Sequence, residues 1–196
     1  MDISTNTGGD LDAAMGVVAL MTGNYALFNI GNSVSGERYR SAYMYDTNID
    51  GVFDSADLTK QYDFRFALLT SCCSFSSGNL VPVYAKGCGI MIIGDTSGGG
   101  SCAVQVGGTT NGMLLTMSSG DTIYDYGWAS VEAGAAPDLR ITDTRDVDAD
   151  LTGMYDIDLI SRAMNDHYKV PDGFPAFIVL IAILVVVGAV AAVRTR

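Results

Sequence analysis

The chain has 196 residues, 22 of them acidic and 11 basic, for a net charge of −11. That acid excess excludes nucleic acid as a partner, because phosphate neutralisation needs clustered Lys and Arg. An apolar share of 48% with 17% charged residues excludes intrinsic disorder and suits one ordinary domain.

The N-terminal segment MDISTNTGGD has no basic start and no apolar run, so it is not a signal peptide. Asp2-Ile3-Ser4 reads as the end of a strand, and the chain is expected to be the C-terminal part of a longer protein. Leu11–Thr22 has helical spacing of apolar residues, with Asp10 as N-cap and Gly23 as terminator. Tyr25–Ile30 and Arg38–Tyr45 read as strands around the turn GNSVSG. Phe64–Leu69 is a short apolar strand, and Leu80–Lys86 a short helix with Pro82 in its first turn. Ile90–Ile93 is a buried strand bounded by Gly89 and Gly94, and the glycine-rich loop GDTSGGGS follows it. Ala103–Val106, Met113–Met117 and Thr122–Tyr124 form an antiparallel patch, and Asp156–Tyr168 a helix. Strands alternating with helices in the first half place the chain in the α/β class.

Pro175–Val193 is an uncharged apolar run of 19 residues. As a helix it nearly matches a hydrocarbon core of about 30 Å, so a single C-terminal transmembrane helix is expected. The expected organisation is a domain over 1–168, a linker over 169–174, the span over 175–193 and a tail over 194–196. Arg162 and Lys169 before the span balance Arg194 and Arg196 after it, but the tail pair abuts the membrane end. This orients the tail to the cytoplasm and the domain outside the cell, at the cell membrane in a single pass. Cys72, Cys73, Cys88 and Cys102 have no CxxC spacing, which argues against structural zinc. They are either disulfides or free thiols, and the adjacent pair is least suited to a bridge.

The segment DTNIDGVFDSAD, Asp46–Asp57, fits the twelve-residue calcium-loop pattern. Asp46, Asn48 and Asp50 occupy positions 1, 3 and 5, and Gly51 at position 6 permits the sharp turn. Val52 offers its carbonyl at 7, Asp54 stands at 9 and Asp57 at 12. The spacing wraps hard oxygens around one point, so one structural calcium ion is expected, and no catalytic metal. The loop resembles dockerin-type loops, which also carry Asp at the last position.

Three further pieces carry chemistry: DISTNTGGD at Asp2–Asp10, TSCCSFSSGNLVP at Thr70–Pro82 and IIGDTSGGGSCAVQ at Ile92–Gln105. A fourth, EAGAAPD, spans Glu132–Asp138. A small-residue turn before a helix presents a hydroxyl where an anion is stabilised, and glycine loops present backbone N–H groups. Together these make a serine nucleophile and an oxyanion hole.

In this order the four pieces resemble the tail-specific, or C-terminal-processing, serine peptidase family in its tricorn-core-like branch, over roughly Met1–Asp138. The resemblance implies a crotonase/ClpP-like α/β core. Ser76 matches the nucleophile, Glu132 the acidic position, and the N–H groups of Ser77 and of Gly8 or Gly9 the oxyanion donors. One branch of the family activates its serine with a lysine from the glycine loop, but here that stretch is Gly98-Gly99-Gly100-Ser101. The other branch uses an upstream histidine, and the chain's one histidine is His167, near the expected span. Either the general base lies before Met1 or the domain is inactive. The reading that results is a membrane-anchored serine-type endopeptidase acting on peptides or proteins. The alternatives are an inactive peptide-binding relative and a calcium-dependent surface interaction module.

Overall fold

The computed structural model describes residues 1–23 and 26–168. The expected linker, transmembrane run and tail lie outside the described residues. Among the described residues, no helix is long and apolar enough to cross a membrane.

Two sheets organise the chain. A parallel sheet has the order β3 (Ala67–Thr70), β4 (Met91–Gly94), β7 (Leu139–Arg140). The Met1–Ile3 segment lies along β3 on its outer side, with Ile3 N–H donating to Leu69 O at 3.0 Å and Leu69 N–H to Met1 O at 3.0 Å. The second sheet is antiparallel, in the order β2 (Arg38–Tyr43), β1 (Ala26–Asn32), β6 (Leu114–Tyr124), β5 (Cys102–Gly108). Helices α1 (Leu11–Thr22) and α2 (Ser77–Gly87) pack on each other, and α2 is the crossover between parallel strands β3 and β4.

The main core joins Met15 and Val18 of α1, Leu80 and Tyr84 of α2, Leu68, Ile92, Phe28 and Ile123. A second cluster, Met91 and Ile93 with Ile160, seats α3 (Ile157–His167) on the other face of the parallel sheet. Alternation along β4 thus sends Ile92 one way and its neighbours the other. This explains why the run IMII is apolar throughout, since a strand covered on both faces has no solvent side.

The α1 boundaries follow the sequence reading. Asp10 accepts from Ala13 N–H at 2.9 Å, and Gly23 closes the helix at φ 67 with its N–H on Ala19 O. Three readings need correction. Helix α2 begins at Ser77, not Leu80, so Pro82 stands inside it rather than in its first turn. Ser77-Gly78-Asn79 has poor helix propensity, but tertiary bonds impose the turn: Ser77 Oγ donates to Gly9 O at 2.8 Å and Asn79 Nδ2 to Val131 O at 3.0 Å. Strand β6 runs unbroken through Ser118-Ser119-Gly120-Asp121 because it pairs with β5 and then with β1. Strand β7, two residues long, escaped notice because pairing alone defines it: Asp138 N–H donates to Ile92 O and Ile141 N–H to Gly94 O, both at 2.8 Å. None of the four cysteines is in a disulfide.

Leu68 is fully buried at the meeting of both helices and the parallel sheet. Leu68→Ala should lower unfolding free energy by about 2–5 kcal/mol in urea titration. Val147→Ala, at a fully exposed site, should stay within about 0.5 kcal/mol of wild type.

Candidate active site

Ser76 stands at the N-terminus of α2 with φ 54 and ψ −125, a conformation that non-glycine residues rarely adopt. Four backbone hydrogen bonds hold it there. Ser76 N–H donates to Gly99 O at 2.8 Å, Phe75 N–H donates to Asn6 O at 3.0 Å, and Ser76 O accepts from Asn79 and Leu80 N–H to start the helix. The Ser76 hydroxyl itself, half-buried, has no hydrogen-bond partner among the described residues.

The glycines around this elbow are close-approach residues. A Cβ on Gly8 would sit 2.7 Å from Ser76 Cβ and 3.2 Å from Ser76 Oγ. One on Gly98 would overlap the Cys72 carbonyl, one on Gly99 the Glu132 carbonyl, and one on Gly134 the Ser97 carbonyl. The glycine loop therefore acts mainly as a packing surface: Gly98 N–H is spent on Ser74 O at 2.8 Å, and Gly99 gives its carbonyl to Ser76.

The structure separates the two oxyanion candidates on the Met1–Asp10 segment. Gly8 N–H donates to Asn6 Oδ1 at 2.9 Å, whereas Gly9 N–H has no partner among the described residues. Ser77 N–H, in the first turn of α2, also lacks one. The Ser77 hydroxyl ties the two segments together through its bond to Gly9 O. Two unspent N–H groups thus flank the nucleophile elbow.

Glu132 arrives on a short 3-10 turn, Val131–Ala133, capped by Ser130. Its Oε2 accepts two bonds from one residue, Ser101 N–H at 3.0 Å and Ser101 Oγ at 2.8 Å. The same turn is braced to α2 by a fully buried chain in which Asn79 donates to Val131 O, Ser97 Oγ donates to Asn79 Oδ1 at 2.6 Å, and Ala135 N–H donates to Ser97 Oγ at 2.7 Å. Sequence reasoning missed Asn6, Asn79, Ser97 and Ser101. Asn6 was legible as part of the Asn-x-Gly-Gly piece and Ser101 as the last residue of the glycine loop, but only the fold shows what each one holds.

Two other candidates lie elsewhere. Lys86 is ten residues along α2 from Ser76, about 15 Å at helical rise. There it pairs with Asp138 at 2.9 Å and donates to Ala136 O at 2.6 Å. His167, on α3, has Nε2 3.4 Å from Gly89 O and its ring edge-on to Tyr168. Gly89 follows the C-terminus of α2, so both groups sit at the far end of that helix from Ser76.

Asp95, fully buried at the head of the glycine loop, organises the floor of the site. Burial works against its ionisation. Bonds from Thr144 N–H and Oγ1, both at 2.8 Å, and from Thr96 N–H outweigh that, with Arg140 3.2 Å away, and hold the carboxyl below its usual range. Thr144 Oγ1 also accepts from Cys72 N–H at 2.8 Å, which links Asp95 to the turn before Ser76.

In the acidic loop, Gly51 turns at φ 83 at the sixth position. Asp46 accepts from Asp50 N–H at 3.1 Å and Gly51 N–H at 2.7 Å, Asp50 from Val52 N–H at 2.8 Å, and Asp54 from Ala56 N–H at 2.7 Å. Asn48 Oδ1 accepts from Asp50 N–H at 3.0 Å. Asp57 is buried, and N–H groups of Asp54, Thr47 and Asn48 hold its carboxyl below the usual range. The side chains are turned onto their own loop's amides, and among the described residues no three Asp, Glu, His or Cys groups converge on one point.

The sequence matches the family model described as Peptidase family S41 over residues 1–141. No curated protein sequence matches it. Among solved structures it is similar to the photosystem II D1 C-terminal processing protease, at 17% identity and TM-score 0.54, over 78% of this chain and 36% of that one. A lipoprotein from Streptococcus agalactiae follows at 18% and 0.52, over 71% of this chain and 48% of the other. A putative S41 protease from Bacteroides fragilis is similar at 13% and 0.50, over 87% and 44%. The chain thus spans less than half the length of each of these structures. The family match over residues 1–141 includes the elbow and the glycine loop.

Because Gly99 has no room for a side chain and sits at φ 82, Gly99→Ala should displace the Ser76 elbow and the Glu132 turn together. The expected loss is at least about 2 kcal/mol of unfolding free energy, measured by denaturant titration.

Proposed function

The chain belongs to peptidase family S41, and on that footing we propose that it is the nucleophile-bearing part of a serine-type endopeptidase. The carrying observation is the Ser76 elbow at the start of α2, flanked by the unspent N–H groups of Ser77 and Gly9. In this reading Ser76 Oγ attacks the carbonyl carbon of a peptide or protein substrate. The two N–H groups, with the N-terminal end of the α2 dipole, receive the developing oxyanion. The amine leaves after protonation, and water then releases the acyl group from Ser76. Glu132, fixed by Ser101, is the group that orients the general base. Neither Lys86 nor His167 reaches Ser76, so the base comes from outside residues 1–168. A histidine oriented by a carboxylate is the simplest fit to this arrangement.

The absence of a base near Ser76 among the described residues also favours a second reading, a peptidase-like module that grips peptides without cutting. A serine-directed fluorophosphonate separates the two. In the longer protein that supplies the base, the first reading expects peptide cleavage and covalent labelling, both lost in Ser76→Ala, with cleavage falling on the order of 10⁴-fold or more. Wild type that neither cleaves varied peptides nor labels supports the second.

We further propose that Asp46, Asn48, Asp50, Val52, Asp54 and Asp57 hold one structural calcium ion. The support is the position-by-position pattern and the Gly51 turn. The carboxylate oxygens that accept loop amides keep further lone pairs for the ion. Calorimetric titration should give one site, with Asp50→Ala losing most of the affinity. No heat at millimolar calcium, or an unchanged variant, overturns it. The remaining proposal is that 175–193 anchors the protein in the cell membrane with the domain outside and the C-terminus cytoplasmic. It rests on the length and charge pattern of that run.

A further inference from the structure

Helices α1, α2 and α3 all end at one cavity of about 440 Å³. The close of α1 supplies Met21, the turn after α2 supplies Gly89, and α3 supplies its C-cap, Tyr168. Helix C-termini carry partial negative charge, and the exposed Lys60 and Arg65 in the same lining offset it. Among the described residues that line the cavity, Asp63 is the one acid, so cations prevail there. That local excess runs against the net charge of −11 on the whole chain.

Aromatic residues alternate with these charges. Tyr62, Phe64 and Phe66 lie on a segment outside any helix or strand, and their rings form a ladder. The Tyr62 and Phe64 rings are stacked with centroids 6.0 Å apart, and Phe64 meets Phe66 edge-on at 6.0 Å. Phe66 packs on the main core, whereas Phe64 is 63% exposed. Lys60 Nζ donates to Phe64 O at 3.2 Å, so cation and ring are held side by side. The described chain leaves the fold at the same place. The Tyr168 hydroxyl donates to Phe66 O and accepts from Met91 N–H at 3.3 Å, which pins the exit beside the ladder. The uncharged apolar run begins at Pro175, seven residues on, a reach of at most about 25 Å.

We propose that this face rests on the headgroup layer of a lipid bilayer, with lipid phosphates on Lys60 and Arg65 and the Phe64 ring at the interface. The inference rests on the membrane-anchor reading. Exposed aromatic rings beside cations are the composition that membrane–water interfaces favour. The acidic remainder of the chain is repelled by anionic lipid, which turns this face toward the bilayer. The exit at Tyr168 favours lipid over a second copy of the chain, because the tether holds this face, and no other, next to the membrane. Ser76 stands at the opposite end of α2, about 16 Å away at helical rise. Docking in this way keeps the candidate site clear of lipid and open to polypeptide from the aqueous side.

The test places the full chain in vesicles of phosphatidylcholine with about a quarter phosphatidylglycerol, brominated on the acyl chains to quench tryptophan. Trp128, the chain's one tryptophan, is the shared background. Fluorescence added by Phe64→Trp should be quenched at least about threefold more strongly than that added by Val147→Trp, at a fully exposed site. Adding Lys60→Gln and Arg65→Gln to Phe64→Trp should lower the ratio of docked to undocked protein by about tenfold or more. An unchanged melting temperature shows that this loss is local. Retention of the chain on vesicles through an alkaline carbonate wash reads the anchor separately. Retention without excess quenching overturns the docking face and leaves the anchor standing. Quenching in a chain that the wash strips away supports the face and defeats the anchor. Equal quenching at positions 64 and 147, or quenching indifferent to the two cations, overturns the inference. So does Phe64→Trp quenching that fades as more protein is loaded per vesicle, which would assign the face to a second copy.

Discussion

The bond from Ser76 N–H to Gly99 O is the contact on which the site depends. It fixes a serine at positive φ, a conformation that costs on the order of 1–3 kcal/mol and persists only where the surroundings over-determine it. The surroundings do so by exclusion. Gly8, Gly98, Gly99 and Gly134 each occupy space that a methyl group would take from a carbonyl or from Ser76 itself. The glycine-rich loop is thus a mould pressed against the elbow, and its contact with the Glu132 carbonyl carries the acidic turn into the same assembly. Nucleophile, oxyanion segment and carboxylate are set by backbone contacts first and by side chains second.

A second connection runs from the site to the acidic loop. Gly16, in the middle of α1, packs against the Tyr45 ring, one residue before Asp46, with a would-be Cβ only 3.2 Å from that ring. At the other end, Gly23 leaves no space between the close of α1 and the Thr59–Lys60 backbone that follows the loop. The loop is therefore seated on α1 from both sides, and α1 begins two residues after Gly9. Burial of the Tyr45 hydroxyl, which has no partner among the described residues, with Asp12 and Asp10 near it, raises its pKa and keeps that contact neutral.

Local signals were legible where one residue does one job. Asp10 and Gly23 bracketed α1, IMII announced a strand covered on both faces, and Ser76 stood out in a small-residue turn before a helix. What the sequence hid was structure imposed from a distance. Ser77-Gly78-Asn79 would not start a helix unaided, and Leu139-Arg140 is a strand only because β4 lies beside it. The Asn79–Ser97–Ala135 chain joins residues 18 and 38 positions apart, and each alone resembles an ordinary loop residue. Pro82 misled for a related reason: its usual place in a first turn suggested a later helix start, but the packing of α2 tolerates it inside. The glycine loop was read as a source of free N–H groups, but Gly98 spends its N–H on Ser74 O and Gly99 serves the elbow through its carbonyl.

The Thr144 bonds carry one more consequence. The stretch that matches the family ends at residue 141, yet Thr144 closes both Asp95 and Cys72, and Ile160 of α3 completes the apolar layer over β4. The packed unit therefore runs past the stretch that the family model matches. Residues up to Ile160 close its buried polar groups and its apolar layer over β4, 19 positions beyond the last matched residue.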